Sequence, residues 1–251
     1  MLNRFDLALY YTQAKLESES SRNYIGYLWW IIDPLLSVAI YYFIFKVLLK
    51  RGEENYIEFL FIGLICWKWF SLSLKKSASS ILRQRSLYKK IYVPKYIFPL
   101  IEVLYQSWKF LVIFIFIIIL YPLLGFPVSI NHLYLPIIMM VQLILTIGLS
   151  LCMANIVPFF PDLNFLINHI MKLWMYPSGI IFAISSIPPQ YQQYVKLNLI
   201  ASIIESYRNI ILFEKPPIWS QLLISTLIGI LLVIIGLVLL NKNDKKFAKL
   251  L

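Results

Sequence analysis

Residues 218–240 read IWSQLLISTLIGILLVIIGLVLL, a run of 23 residues without a single Asp, Glu, Lys or Arg. A helix needs about 20 apolar residues to cross the hydrocarbon core, where every backbone amide must be satisfied within the segment because no water is present. This run is therefore a membrane span. Five further stretches meet the same criterion with more interruptions: 27–47, 56–74, 96–124 with a clean centre at 110–120, 133–160 and 163–185. The composition agrees, being 60% hydrophobic and 14% charged, which is too little polar surface to cover a soluble core.

Between the last two spans, residues 197–213 are apolar but carry Glu205 and Arg208. Ile200, Ile203, Ile204, Tyr207, Ile210 and Ile211 recur at spacings of three and four, which marks one face of an amphipathic helix at the interface or half inserted. The N-terminal segment has a similar pattern. Phe5, Ala8, Leu9, Thr12 and Leu16 share a face while Asn3, Asp6, Gln13 and Glu17 fall elsewhere, so 1–23 reads as a helix on the membrane surface. The expected fold class is an all-α integral membrane protein forming one domain over 1–251. It has six transmembrane helices, an N-terminal interfacial helix, and amphipathic re-entrant helices within 187–217 before the last span.

Orientation follows from the basic residues. The segment 75–96 holds Lys75, Lys76, Arg83, Arg85, Lys89, Lys90 and Lys95 without an acid, whereas 125–132 holds no Lys or Arg. Positive charge marks the cytoplasmic side, and the tail 241–251 with Lys242, Lys245, Lys246 and Lys249 joins it, so both termini are expected inside. The formal charge of +11 is spread along membrane flanks, where anionic lipid explains it, and no nucleic-acid-binding signature accompanies it. Cys66 and Cys152 lie inside apolar spans without CxxC spacing, so neither a disulfide nor a metal site is expected. Residues 1–23 lack the basic end and apolar core of a secretory leader, and none is expected.

Charges within spans are costly and mark functional candidates: Lys68, Glu102, Lys109 and Lys172, with Asp33 near the inner end of the first span. Lys68 can snorkel, and Lys109 can pair with Glu102 or Tyr105. Trp29 and Trp30 suit the headgroup level as anchors. Tyr41, Tyr42 and Phe45 either do the same or line a pore, where ring faces give sugars a sliding surface.

Several motifs occur in a fixed order: Gly26-x-Leu28-Trp29-x4-Pro34-Leu35, Gly63-x3-Trp67, Leu87-x-Lys89-Lys90-x-Tyr92-x-Pro94, and Pro99-Leu100. They continue with Leu145-x2-Gly148-x2-Leu151, Phe159-Phe160-Pro161-Asp162, Trp174-Met175-Tyr176-Pro177-Ser178, Asn198 and Glu205-x2-Arg208. In this order, over nearly the full chain, the sequence resembles the permease subunits of type 2 ABC exporters that move O-antigen, capsular polysaccharide or teichoic acid. It departs from the family pattern at Pro161-Asp162, where Arg-Asp is usual, at Ser178-Gly179, where Ser-Pro is usual, and at Leu199, where a Pro usually follows the Asn.

The resemblance implies a homodimer in the bacterial cytoplasmic membrane with two copies of a separate ABC ATPase, which bind the ATP and Mg, and a lipid-linked polysaccharide as substrate. The chain itself contains no Gly-x4-Gly-Lys-Ser/Thr loop, so no cofactor is expected in it. The basic segment is the expected coupling element: Leu87, Tyr88 and Tyr92 enter a cleft of the ATPase, Lys89 and Lys90 hold its rim, and Pro94 fixes the turn into the next span. Lys109 and Lys172 are candidates for the phosphates of the substrate. Ile203, Glu205, Tyr207 and Arg208 are candidates for an external gate. A membrane enzyme is disfavoured, because His132 and His169 stand apart with no acids at catalytic spacing. A teichoic acid permease and a non-transporting scaffold remain the alternatives.

Overall fold

The computed structural model describes residues 4–22, 26–50, 55–84, 93–126 and 128–250, and every regular element among them is helical. In chain order these are α1 (Arg4–Arg22), α2 (Gly26–Leu48), α3 (Tyr56–Ala78), α4 (Ile97–Leu123), α5 (Leu135–Ile156), α6 (Leu163–Met175), α7 (Pro189–Lys196), α8 (Leu199–Ile211) and α9 (Trp219–Leu250). A single helical turn, Ser80–Arg83, follows α3. Five stretches are long and apolar enough to cross a bilayer: α2, α3, α4, α5 with its 3-10 lead-in (Ile130–Ile156), and Trp219–Phe247 of α9.

The expected span at 163–185 is not one continuous helix. Residues of α6 stay helical for 13 positions, about 20 Å of rise, and then break at the 3-10 turn Tyr176–Ser178 and at Gly179, whose φ of 64° is left-handed. Pro177 and Gly179 are the local cause, since one constrains the chain and the other accepts a backbone angle that side chains resist. The broken element still carries the chain from one face of the molecule to the other. At its start, Phe159 packs on Phe247 of α9 at 5.2 Å between ring centroids; beyond its end, the carbonyl of Ile181 accepts the Tyr56 hydroxyl at 2.8 Å.

The end of α9 meets the ends of α5 and α4 on that first face. Lys95 lies 3.3 Å from Asp244, and the Asn243 amide donates to Asn155 at 3.0 Å. Helix α1 docks on the same face against the first turns of α4, with Ala8 set among Val93, Ile97, Phe98 and Ile101. The two ends of the chain therefore share a face, and it is the face that carries Lys76, Arg83 and Lys95 of the basic segment.

Buried α3 forms the axis of the bundle, with α2, α4, α5, α6 and α8 packed around it. Trp69 stacks on Phe110 of α4 at 4.2 Å, and Trp174 of α6 sits edge-on to Phe70 at 5.7 Å. Helices α5 and α9 approach through glycines: a Cβ on Gly148 would lie 2.7 Å from the Gly229 carbonyl, and one on Gly236 would lie 2.5 Å from the Leu151 Cβ. The outer faces remain apolar, as a lipid-facing surface requires: Leu223, Leu227, Leu231 and Val238 of α9 and Leu36 and Ile40 of α2 are exposed.

Helix α8 differs from the interfacial reading. It is enclosed by α3, α5 and α9, and Ser202, Ser206 and Arg208 are buried along with the isoleucines. The amphipathic pattern reports a helix that satisfies its polar residues inside the protein rather than one lying on a surface.

Candidate functional site

Two constellations of polar residues are built into this bundle, one near each face. The first is a cavity of about 370 Å³ between α1, α2, α3 and α4. Its walls carry Lys15, Lys68, Lys76, Arg83 and Lys109, the carboxylates Glu19, Asp33 and Glu102, and the rings of Trp29, Trp30, Trp69, Tyr105 and Phe110. The formal charge of these walls is +2, set among aromatic faces that can hold cations.

Helical spacing explains why these side chains meet. Lys15 and Glu19 are one turn apart on α1, and Glu102 and Lys109 are two turns apart on α4, with opposite sign at each end. Lys15 pairs with Glu102, whose other oxygen lies 3.2 Å from Arg83; Lys109 lies 2.7 and 2.6 Å from the two oxygens of Glu19. The ammonium groups of Lys15 and Lys109 each sit 4.5 Å from the centre of the Tyr105 ring, and Lys109 is also 5.2 Å from that of Trp30. On the α2 side, Lys68 donates to the Asp33 carboxylate at 2.7 Å and to the Ser37 hydroxyl at 2.8 Å. Burial pushes the Lys15 ammonium below its ordinary range, and the Glu102 carboxylate opposes that shift.

These pairings revise the sequence expectations. Lys109 does stand over Tyr105, but its carboxylate is Glu19, not Glu102, and Glu102 serves Lys15 and Arg83 instead. Lys68 is paired with Asp33. Lys172 is exposed on α6, outside this cavity. Leu9, expected on the apolar face of α1, is 40% exposed, because the docked face runs through Ala8, Thr12, Lys15 and Glu19. Tyr41 and Tyr42 are half-buried, and the Tyr41 hydroxyl approaches Met175 Sδ of α6 at 3.7 Å, with Phe45 6.5 Å away from the Tyr41 ring.

The second constellation centres on Arg208, which is 1% exposed. Its Nε and Nη2 donate to the Phe59 carbonyl at 3.2 and 3.0 Å, its Nη1 to that of Gly179 at 2.5 Å, and its Nη2 to that of Ile180 at 2.9 Å. The guanidinium carbon lies 3.4 Å from the centre of the Phe59 ring. A Cβ on Gly63 would run into this guanidinium, which accounts for the glycine. The Asn198 amide adds a second tie to the α6 break, donating to the Ser178 hydroxyl at 2.9 Å and the Pro177 carbonyl at 3.3 Å. Ile203 and Tyr207 are fully buried, Tyr207 edge-on to Phe114 at 5.5 Å, and Glu205 is half-buried.

Of the expected coupling residues, Leu87, Tyr88, Lys89, Lys90 and Tyr92 lie outside the described residues. Pro94 is described, and its carbonyl accepts the Ile97 amide at 3.1 Å at the start of α4.

A profile of the ABC-2 type transporter matches residues 14–212, most of the chain and both constellations. The chain belongs to this family. Among its relatives, two O-antigen export system permease proteins RfbA of Klebsiella pneumoniae are 31% and 33% identical over 249 residues, each alignment covering 98% of this chain and 95% of the relative. The polysialic acid transport protein KpsM of Escherichia coli is 24% identical over 192 residues, 75% of this chain and 74% of its own length. The ABC-2 chain thus aligns end to end with permeases, and the bundle, the cavity and the Arg208 clamp all lie within the aligned length.

Sequence reasoning singled out Lys109 and Arg208 and placed Asn198 among the motifs, but gave Lys15, Glu19 and Arg83 no part in a site. The signal for Lys15 and Glu19 was present in the reversed charge order of α1 and α4. Nothing in the local sequence paired Asn198 with Ser178, 20 residues away.

Proposed function

We propose that the chain is the membrane-spanning subunit of an ATP-driven exporter that moves a lipid-linked polysaccharide across the bacterial cytoplasmic membrane. It acts as a homodimer with two copies of a separate ATPase, which supply ATP and Mg chemistry that this chain has no phosphate-binding loop to perform. The face bearing α1 and the basic segment is cytoplasmic, in keeping with the asymmetry of Lys and Arg. The ATPase docks there on Leu87, Tyr88, Lys89, Lys90, Tyr92 and Pro94, and the glycan leaves at the opposite face, where α8 is held inside the bundle by Arg208.

The observation that carries this reading is the cavity beside α1. A cationic, aromatic-walled chamber of +2 formal charge suits a diphosphate joined to a sugar, because ammonium groups bind phosphate oxygens and ring faces stack on sugar rings. Among glycans, O-antigen is favoured over teichoic acid, since the relatives that align over nearly the whole chain carry that substrate in their names.

The test is export in a reconstituted complex of this chain with its ATPase. Lys109→Met and Trp30→Ala are each expected to lower substrate-stimulated ATP hydrolysis and glycan export at least several-fold, the loss of a charged hydrogen bond alone being about 1.5 to 3 kcal/mol. Undiminished export from both variants would refute the cavity as the loading site.

A further inference from the structure

In this structure four cations of the cavity, Lys15, Lys68, Arg83 and Lys109, are held by the chain's own carboxylates. Three carboxylates, Glu19, Asp33 and Glu102, come from three different helices and stand where an anionic ligand would have to bind. They are not equivalent. Glu102 is 10% exposed and serves Lys15 and Arg83 together, so displacing it would strip two cations at once. Asp33 shares Lys68 with the Ser37 hydroxyl and its own backbone carbonyl. Among the described residues Glu19 holds one cation, Lys109, and it is 36% exposed.

The partner of Glu19 is by contrast fixed in place. Lys109 is 19% exposed and set against the rings of Trp30 and Tyr105, which hold an ammonium wherever its counter-ion goes. Two carboxylate oxygens within 2.7 Å of one ammonium present what two phosphate oxygens would present. We propose that Glu19 is an internal stand-in for the substrate's diphosphate, displaced from Lys109 when the headgroup arrives, so that the last turn of α1 comes off α4. The inference rests on the cavity being the headgroup site.

Displacement would be felt on both sides of α1. Its C-terminal end leads toward Trp29 and Trp30, which wall the cavity, and its middle is tied through Lys15 and Glu102 to Arg83. Arg83 closes a helical turn within the basic segment, four residues before the expected coupling residue Leu87, and it also donates to the Lys76 carbonyl at 2.6 Å. A headgroup that loosens α1 thereby alters the support of the segment that faces the ATPase.

The experiment titrates a polyprenyl diphospho-N-acetylglucosamine against the permease–ATPase complex in nanodiscs. Glu19→Gln, which keeps shape and removes the competing charge, is expected to tighten binding about two- to fivefold. Lys109→Met is expected to weaken it about tenfold, and Glu19→Gln added to Lys109→Met should bring no further change. Hydrogen exchange gives an independent readout: saturating probe should speed exchange in the last turn of α1 in the wild type, while Glu19→Gln should exchange fast before any probe is added. If Lys109→Met weakens binding but Glu19→Gln does not tighten it and α1 exchange is unmoved, the displacement is overturned and the cavity reading stands. If Lys109→Met binds the probe as the wild type does, the cavity reading falls and takes the displacement with it.

Discussion

Arg208 and Lys109 are both cations inside a membrane bundle, yet they are satisfied in opposite ways. Arg208 spends its guanidinium on backbone carbonyls of Phe59, Gly179 and Ile180, fixed acceptors that no ligand can replace. Lys109 and its neighbours use side-chain carboxylates, which rotate and can give way to another anion. The difference separates a fixed tie from an exchangeable one: a planar fork ties three pieces of chain together, while point charges on flexible stems are held by partners that can rotate away.

The sharpest way to break this contrast is at the clamp. Arg208→Ala strips the buried Gly179 and Ile180 carbonyls of this donor and leaves the Phe59 carbonyl with only its bond inside α3, and Arg208→Lys supplies a single ammonium that cannot reach all three, so both variants should lose on the order of 3 kcal/mol or more of stability. Thermal unfolding of the purified protein, followed by tryptophan emission, measures it. A variant as stable as the wild type would show that the carbonyls find other donors.

A smaller loss is expected at the glycine seam. Gly236→Leu would force side-chain atoms against Leu151, and overpacking of this kind costs about 1 to 3 kcal/mol. The same melting assay reads it, and an unchanged midpoint would mean that α5 and α9 can separate freely.

Least of all should the fold suffer from Lys68→Met. Asp33 is 66% exposed in that pair, and such pairs contribute about 1 kcal/mol or less. Stability is expected to stay close to the wild type while substrate-stimulated ATP hydrolysis drops. A large loss of stability with normal stimulation would reverse the assignment of the two regions.

Hydropathy was enough to find five of the long helices, because an apolar run of spanning length has few alternatives once the backbone must satisfy itself. It failed at 163–185 for the same reason. The apolar run continues through Tyr176 to Ile187, so composition hides a break that Pro177 and Gly179 impose locally. In α8 the period of three and four was read correctly, but periodicity does not say what surrounds a helix, and here protein stands on the polar side as well. The cavity was half legible. Lys109 and Glu102 stood out as charges within a span, whereas their partners lie 90 and 87 residues away on a helix whose sequence alone looks merely surface-active.

The glycine contacts between α5 and α9 also bear on mechanics. With hydrogen atoms alone separating the two backbones at Gly148, Gly229 and Gly236, a slide of one helical rise would push a leucine or isoleucine into a gap with no room for it. The pair is locked against shear and behaves as one rigid strut. Any working stroke of this protein must then pass around that strut, through elements such as α1 and α2 that are joined to the rest by rings and ion pairs instead of by interlocked backbone.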